Sequence, residues 1–349
     1  LDQVMRRLHA PRRAQGFSLV ELMVGIVVAM AAIVVVMQIF KVSESQRRNT
    51  TGGDDAQTTG AIAVSLLQRD LRQAGQGFSN TQMLDCQLNI NATRNIARLV
   101  PVFINPPDIP DGEDNTDVVL VNLGSGWGAP EGGLINSQPG PATYIVTAPQ
   151  AFQLGDRVVA APQNRATPCV LSLTNLTAAP TATSVTVAQG LPNASNGALF
   201  NLGRTPRFVA YAVRSGSLTA CDFMTQDCTS AAPENWTEVA EGIVSLRAEY
   251  AQDTSAPRDA MVDSYSQTVA TTTPSYCGWS RIVGIRLVVV ARSRQPEKDD
   301  VNAPAPTWAG AASINLTDPD WRRYRYKTFE TTVPLRNTPS ASEPAFSSC

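Results

Sequence analysis

The most constraining feature of the sequence is a long apolar run near its start. The 24 residues from 17 to 40 are interrupted only by Ser18, Glu21, Gly25 and Gln38. As a helix this run would be about 36 Å long, which is enough to cross a hydrocarbon core of about 30 Å. The sequence therefore predicts one transmembrane helix over residues 17–40.

The segment before this run predicts a leader peptide. Residues 1–16 carry four arginines against one acidic residue. A secretory signal peptide has a shorter apolar region with its small-residue cleavage site at the far end. Here the small residue, Gly16, precedes the apolar run. Cleavage after Gly16 would therefore remove the basic leader and keep the helix.

The basic leader also predicts an orientation, with the N-terminus in the cytoplasm and the remaining chain outside. The asymmetry is modest, because Lys41, Arg47 and Arg48 follow the helix. The chain begins with Leu1 and not with Met. We expect either a non-standard start codon or a start at Met5, and neither changes the chain after Gly16.

The cysteines support the same orientation. All six follow the apolar run, which favours an oxidising compartment and disulfides. Six cysteines allow 15 pairings, among which sequence does not choose. The local pair Cys221–Cys228 is the one that spacing favours; the other candidates are Cys86, Cys169, Cys277 and Cys349. A metal site is disfavoured, because there is no C-x-x-C and no nearby histidine.

The histidine content argues against most enzyme classes. The single histidine is His9, inside the predicted leader. After cleavage at Gly16 the chain would hold no Ser–His or Cys–His pair and no histidine metal ligand. The sequence also lacks G-x-S-x-G, S-x-x-K, P-loop and G-x-G-x-x-G motifs. We therefore predict no catalytic residue, no cofactor, no metal and no small-molecule substrate.

Glu21 is the unusual residue of the apolar run. A carboxylate inside a membrane helix costs about 2.5 to 3.5 kcal/mol near the bilayer centre and less near an interface. Either Glu21 stays close to the headgroups, or it meets a cation. Cleavage after Gly16 would leave Phe17 with a free amino group four residues away. In an array of such helices, this amine could neutralise the carboxylate of a neighbouring copy.

The stretch "GFSLVELMVGIVV" resembles the prepilin motif of type IV pilins and type II secretion pseudopilins. The resemblance covers Gly16, Phe17, Ser18, Leu19, Glu21 and the following helix. It implies that prepilin peptidase cuts after Gly16 and that Phe17 becomes the N-methylated terminus. It also implies that Glu21 acts in assembly, and that the partners are minor and major pilins contacted through the helix.

Beyond residue 40 the pattern predicts an α+β fold with an antiparallel sheet. Residues 41–77 predict a polar and amphipathic helix, with a break or bend at Gly52–Gly53 and a stop at Gly75 and Gly77. We expect its buried face to hold Ala61, Val64, Leu67 and Leu71. Residues 78–349 predict one β-rich globular domain. Its candidate strands are 99–104, 116–123, 143–147, 156–161, 169–174, 184–189, 207–214, 242–250, 281–292 and 325–336.

The C-terminal half sharpens the resemblance. The segments "VAEGIVSLRAEY", "RIVGIRLVVVARS" and "YRYKTFETTVPLRN" resemble, in this order, the PilW family of minor pilins. The acidic turn "DGEDNTDVVLV" is similar to the same pattern. Residues 125–205 resemble no pattern that we identify.

Two clusters of side chains outside the helix are candidate ligand sites. The first cluster is acidic and consists of Asp108, Asp111, Glu113, Asp114 and Asp117. Its carboxylates offer oxygen ligands for calcium, but their spacing is not that of an EF-hand and is typical of a solvated turn. The stretch "WRRYRYK" (321–327) interleaves basic and aromatic side chains, as proteins that bind single-stranded nucleic acids do. As part of a strand its aromatic residues would simply pack, which makes a nucleic-acid partner disfavoured.

The sequence thus predicts a minor pilin of the type IV pilus, resembling PilW, that primes filament assembly or caps the filament. It would wait in the bacterial inner membrane with its C-terminal domain in the periplasm and then enter the pilus. One alternative is a minor pseudopilin of a type II secretion system. Another is a tip adhesin or a DNA-uptake subunit.

Overall fold

The fold is described from a computed structural model covering residues 16, 18–78, 80–124, 128–129, 131–301, 304–310, 313–338 and 349. The chain divides into two compact units, one ending at Thr51 and one running from Gly52 to Cys349. The first helix, α1 (Leu19–Gln73), has 55 residues and contributes to both units.

In the first unit, α1 is apolar from Leu19 to Phe40 apart from Glu21, Gly25 and Gln38, and it is mostly polar from Lys41 onward. One segment, Leu19–Glu44, is long and apolar enough to span a membrane, with a mean hydropathy of 2.9 and none of the segment buried inside the structure. This agrees with the predicted spanning helix, because length and composition alone meet the requirement of a bilayer.

In the second unit, α1 continues without the break that Gly52–Gly53 suggested. The helix ends where the sequence predicts. Gly75 and Gly77 follow it with φ angles of 84° and 86°, a region that residues with a Cβ rarely adopt. The Gly75 N–H donates to the carbonyl of Asn122 at 2.8 Å, which joins the end of α1 to the β domain.

In the part of the chain that the structure describes, the β domain has seventeen strands. In chain order they are β1 (Cys86–Asn89), β2 (Asn95–Leu99), β3 (Val102–Ile104), β4 (Val119–Leu123), β5 (Gly133–Gly140), β6 (Thr143–Val146), β7 (Arg157–Ala161), β8 (Val170–Asn175), β9 (Ser184–Thr186), β10 (Ala198–Gly203), β11 (Arg207–Arg214), β12 (Ser217–Asp222), β13 (Thr237–Glu241), β14 (Ile243–Gln252), β15 (Ser264–Ser266), β16 (Ile282–Arg292) and β17 (Tyr326–Pro334). A short helix, α2 (Tyr276–Trp279), precedes β16.

The strands form three sheets. The eight-stranded sheet has the order β2-β1-β8-β7-β10-β5-β6-β9, the five-stranded sheet β13-β12-β11-β4-β3 and the four-stranded sheet β15-β14-β16-β17. Neighbouring strands pair antiparallel, as the sequence predicts, apart from the parallel pair of β1 and β8. Parallel neighbours need a long connection, and here more than 80 residues separate the two strands.

The predicted strands all have a counterpart, and the prediction 207–214 coincides with β11. The prediction 99–104 was wrong as a single strand, because it covers the end of β2 and all of β3 with Pro101 between them. Six strands were missed: β1, β5, β10, β12, β13 and β15. β1 and β15 are short and β5 and β13 are largely polar, whereas β10 and β12 are six-residue strands with mostly buried side chains, so pairing partners and not local propensity decided these strands.

The core beside α1 lies against the five-stranded and four-stranded sheets. Ala56, Ala63, Leu67 and Leu71 pack with side chains of β4, β11, β14 and β16. The predicted face was right for Leu67 and Leu71, whereas Ala61 is exposed and Ala63 takes the inner position. Alanine occurs on both faces of this helix, so its position carries little information about which face is buried.

Three disulfides join the six cysteines. Cys86–Cys169 links β1 to the residue before β8, and Cys277–Cys349 links α2 to residue 349. The local pair favoured by spacing, Cys221–Cys228, is joined as well. Cys86–Cys169 and Cys277–Cys349 close loops of 83 and 72 residues. Sequence alone could not choose these two pairings.

Candidate functional site: the N-terminal helix and its docking on the domain

The motif around Gly16 lies just before the first turn of α1. Gly16 and Ser18 are exposed, and a Cβ at Gly16 would meet no atom within 4 Å. The Leu22 N–H donates to the carbonyl of Ser18 at 3.1 Å, so helical hydrogen bonding begins at Ser18, within the motif. Phe17 and the predicted leader (1–15) lie outside the described residues.

Glu21 lies in the first turn of α1. The N-terminal end of a helix carries a partial positive charge, which favours a carboxylate there. The apolar neighbours Val20 and Leu22 are 66% and 58% exposed. Glu21 therefore stands on a helix surface that is otherwise apolar, at its N-terminal end.

The large apolar side chains of this segment are all highly exposed. Their exposed fractions run from 48% at Val36 to 74% at Leu19. Soluble monomers rarely expose a continuous apolar patch of this size, and such a surface marks contact with membrane or protein. Lipid or neighbouring helices must therefore cover it.

A buried ionic cluster joins the second part of α1 to the domain. Asp70 is fully buried on the inner face of the helix. Its Oδ2 accepts a hydrogen bond of 2.6 Å from the Tyr211 hydroxyl of β11 and lies 3.1 Å from Nη1 of Arg207. Asp70 was not selected from the sequence, although a carboxylate beside Leu71 on a core-facing position was the available signal.

The surroundings of Asp70 raise the pKa of the neighbouring Tyr211 hydroxyl. Burial raises the pKa of the Tyr211 hydroxyl, and the carboxylate of Asp70 raises it further. The hydroxyl therefore stays protonated and donates its hydrogen to Asp70. This contact sets the position of α1 on β11 through a directional bond.

A close approach to β17 sets the helix position a second time. A Cβ at Gly60 would lie 2.0 Å from the ring of Phe329, so this crossing requires glycine. Further along the helix, Gln68 Nε2 donates a hydrogen bond to Thr331 Oγ1 at 3.0 Å. Both contacts place α1 across the outer strand of the four-stranded sheet.

The acidic turn acts mainly as a structural connection. Among its residues Asp117 is buried. Its carboxylate accepts hydrogen bonds from the Ala248 N–H at 2.9 Å and from the side chains of Asn105 and Gln267. In the described part of the chain, no group of three or more His, Cys, Asp or Glu side chains could hold a metal ion.

The "WRRYRYK" stretch is divided between two conformations. Residues Trp321–Arg323 form a 3-10 turn and β17 starts only at Tyr326, so the expectation of one strand from 325 needs this small correction. Arg325 Nε donates to a carboxylate oxygen of Glu297 at 3.0 Å, and Arg323 Nε donates to the Glu297 carbonyl at 2.9 Å. These guanidinium groups are engaged within the domain.

Two regions of the chain match known protein families, one at the N-terminal motif and one over the C-terminal strands. Residues 210–337 match the sequence profile of the family described as Type IV Pilus-assembly protein W, and residues 11–37 match the prokaryotic N-terminal methylation motif. The first match runs from within β11 to just past β17, and all strands of the eight-stranded sheet precede it. No curated protein matches the chain in sequence.

A solved structure, the type IV-like pilin TTHA1219 from Thermus thermophilus, aligns with 82% of this chain and 97% of its own. The identity is 11% and the TM-score is 0.32, values too low to establish that the two proteins share a fold. The two sequence matches, the exposed apolar helix and the predominantly antiparallel β domain lead to one conclusion. The chain carries an N-terminal methylation motif like that of prepilins, and its C-terminal part is similar to the PilW family.

Proposed function

We propose that this chain is a minor pilin of a type IV pilus. The observation that carries the proposal is the N-terminal methylation motif on a wholly exposed apolar helix, followed by a domain that matches the PilW profile. The chain acts as a structural subunit and not as an enzyme. It primes filament assembly or caps the filament.

In this proposal the segments have distinct tasks. Residues 1–16 form the leader that prepilin peptidase removes, and residues 17–40 lie in the inner membrane before assembly. During assembly the same helix moves from lipid into the filament core, where helices of other pilins cover its apolar side chains. Residues 41–77 continue the helix, and 78–349 form the globular domain.

We place the globular domain in the periplasm. Three disulfides within this domain support this location, because such bonds persist in oxidising compartments. The basic leader supports it independently, since positive charge is retained on the cytoplasmic side.

The proposed chemistry at the terminus is charge neutralisation. Cleavage after Gly16 gives Phe17 a free amine, which prepilin peptidase then methylates. In the filament this amine meets the Glu21 carboxylate of a neighbouring subunit. A pair of opposite charges away from water specifies the register between helices more than it stabilises their contact.

The first experiment is mass spectrometry of the unreduced protein from its native membrane, on both the intact chain and its N-terminal peptide. We expect an N-methylated Phe17 terminus and a mass that corresponds to three disulfides. A retained leader, or cleavage at the far end of the helix, would contradict the proposal.

A second readout separates the pilus from a type II secretion system. We expect the protein in sheared pilus fractions, and we expect its deletion to reduce piliation while secretion of folded exoproteins continues. Loss of secretion with normal piliation would favour the pseudopilin alternative.

A further inference from the structure

Part of the eight-stranded sheet closes on itself. Neighbouring strands follow one another in the order β8-β7-β10-β5-β6-β9. The two ends of this series meet just beyond β8 and β9, where Leu176 and Val187 form an antiparallel bridge. Beside this bridge the Ala188 N–H donates to the Asn175 carbonyl at 3.0 Å. These contacts make a ring of strands, which we call the barrel.

The barrel encloses a hydrophobic core of its own. In the part of the chain that the structure describes, the buried residues of this core all lie between Ile135 and Leu199. Leu171 and Leu173 of β8 instead pack in the core on the outer side of the barrel. The PilW profile begins only at residue 210 and therefore covers no strand of the barrel. The similarity to PilW thus says nothing about what the barrel does.

One end of the barrel interior is an open cavity of about 450 Å³. Tyr144 and Ala160 belong to the inner core and line it. Ser172 and Thr174 line it too, because they alternate along β8 with the leucines that face outward. The loop 188–192 forms another wall. Small-molecule sites of about 300 to 1,000 Å³ occur in the mouths of β-barrels.

Two hydroxyl groups of the cavity wall have a hydrogen left to donate. The Leu191 N–H donates to the Tyr144 hydroxyl at 2.6 Å, and the Gln189 N–H donates to the Thr174 hydroxyl at 3.0 Å. Among the described residues, neither hydroxyl has an acceptor for its own hydrogen. Tyr144 is fully buried and Thr174 nearly so. Buried donors in folded proteins are paired, and a molecule inside the cavity can supply these two acceptors.

The ionisation of the wall limits the charge of such a molecule. The described lining residues include no Asp, Glu, Lys, Arg or His. Burial raises the pKa of the Tyr144 hydroxyl above its ordinary value, so this group keeps its hydrogen at neutral pH. A phosphate, carboxylate or amine would lose its hydration here without meeting an opposite charge. The cavity therefore favours a neutral ligand.

The remaining wall combines hydrogen-bonding groups with apolar surface. The Ser172 hydroxyl and the Gln189 carboxamide are exposed at the opening, and each can both donate and accept. Pro141, Leu191 and Pro192 add apolar surface. A sugar ring carries hydroxyl groups along its edge and C–H groups on its faces, so it matches both parts of the wall.

We propose that the open end of the barrel binds a neutral carbohydrate. Its oxygens would accept the hydrogens of Tyr144 and Thr174, and its hydroxyl groups would exchange hydrogen bonds with Ser172 and Gln189. The carbohydrate is bound and not converted. This inference goes beyond the proposed function and does not depend on it, since the cavity needs neither the apolar helix nor a filament.

The test uses the full chain in a detergent without a sugar headgroup, so that the detergent does not compete. Labelled protein is applied to an array of neutral glycans and of the same glycans with a carboxylate or sulfate on the terminal sugar. We expect binding to at least one neutral glycan and not to its acidic form. Binding to no neutral glycan, or equal binding of the acidic form, would overturn the inference.

Titration with the free monosaccharide units of the bound glycan distinguishes two sources of this chemistry. Binding of a monosaccharide indicates a soluble sugar, and binding of the longer glycan alone indicates the end of a surface glycan. Either result supports the inference.

A matched pair of variants locates the site. Ala188→Trp places a large side chain at an exposed position of the cavity wall and should weaken binding at least about tenfold. Ala179→Trp, on the exposed loop between β8 and β9, lies outside that wall and should change binding less than about twofold. An unchanged thermal midpoint shows that each variant is folded. Equal binding by the two variants would overturn the proposed location.

Thr174→Val tests one donor, because it removes the hydroxyl and keeps the size of the side chain. We expect about threefold to tenfold weaker binding. Thr177→Val, on the exposed loop after β8, is the control and should bind as the unchanged chain does. Equal affinities of the two valine variants would contradict the role of Thr174.

The outcomes separate this inference from the proposed function. If Phe17 is N-methylated and the chain enters pili but binds no neutral glycan, the inference fails and the proposed function stands. If the leader is retained and a neutral glycan still binds in a manner that Ala188→Trp abolishes, the proposed function fails and the inference stands.

Discussion

At the scale of single residues, two acidic side chains of α1, Glu21 and Asp70, have different surroundings and different roles. Glu21 lies on an exposed apolar segment in the first turn of the helix. Asp70 lies within the core against Tyr211. The first was recognisable from the sequence because a carboxylate interrupts an apolar run. The second was not, since its partner lies 141 positions away in the chain.

We expect Glu21→Ala to impair assembly without preventing cleavage. The substitution removes the proposed partner of the Phe17 amine, while Gly16 and the apolar helix are unchanged. Pilus counts and shearing report assembly, and the mass of the terminus reports cleavage. Normal piliation in this variant would contradict the assembly role of Glu21.

We expect Asp70→Asn to lower the free energy of unfolding by about 2 to 3 kcal/mol, because the hydrogen bond from Tyr211 loses its charged acceptor. Asp55→Asn is the control, since Asp55 is exposed on the same helix and should change stability by less than about 0.5 kcal/mol. Denaturant unfolding of the chain in detergent measures both.

A double-mutant cycle with Tyr211→Phe tests the contact itself. We expect a coupling energy of about 1 to 3 kcal/mol between the two positions. Strictly additive effects would mean that the side chains act independently, and that Asp70 does not position α1 on β11.

At the scale of elements, α1 is one helix with two kinds of surface. Its membrane-type segment was predictable because composition alone sets transfer into lipid. Its docked segment was predictable as helical, but its inner face was partly misassigned at Ala61. Small residues are compatible with a close helix–sheet contact and with open solvent alike, so tertiary packing decides between the two.

Gly60 and Gly53 make a matched pair for testing this packing. Replacing a helical glycine by alanine, where a Cβ has room, stabilises a helix by about 1 kcal/mol. We expect this gain for Gly53→Ala, where a Cβ meets nothing within 4 Å. Gly60→Ala should instead lose about 1 kcal/mol or more, because its Cβ would collide with Phe329.

Thermal or denaturant unfolding checks both glycine variants. Equal stabilisation by the two substitutions would show that Phe329 moves aside freely and that glycine is not required at the crossing. The combination of Gly60→Ala with Phe329→Ala should cost less than the sum of the single effects, since removal of the ring removes the collision.

At the scale of the whole molecule, two long-range disulfides connect distant parts of the β domain. These are Cys86–Cys169, which spans 83 residues, and Cys277–Cys349, which spans 72, whereas the local pair Cys221–Cys228 spans 7. A longer closed loop restricts the unfolded chain more strongly. The paired substitution Cys86→Ala with Cys169→Ala should therefore cost about 4 to 5 kcal/mol, against about 2 to 3 for the Cys221 and Cys228 pair. Denaturant midpoints of the two variants measure this order, and the reverse order would contradict it.

The second unit should also fold without the first. A chain that starts at Gly52 keeps the hydrophobic cores of the domain and loses the exposed apolar segment. We expect it to be monodisperse without detergent and to contain three disulfides. Size-exclusion chromatography and mass spectrometry check this, and aggregation or free thiols would show that the first unit is needed for folding.

The sequence by itself determined the spanning helix, the prepilin motif, the α+β class and the stop of α1 at Gly75. Each of these depends on local composition or on backbone geometry within a few residues. Only the tertiary structure decided the disulfide pairing, the parallel contact of β1 with β8 and the burial of Asp70. These features join residues far apart in the chain, and the physical terms that select them, close packing and charge pairing away from water, exist only after the chain has folded.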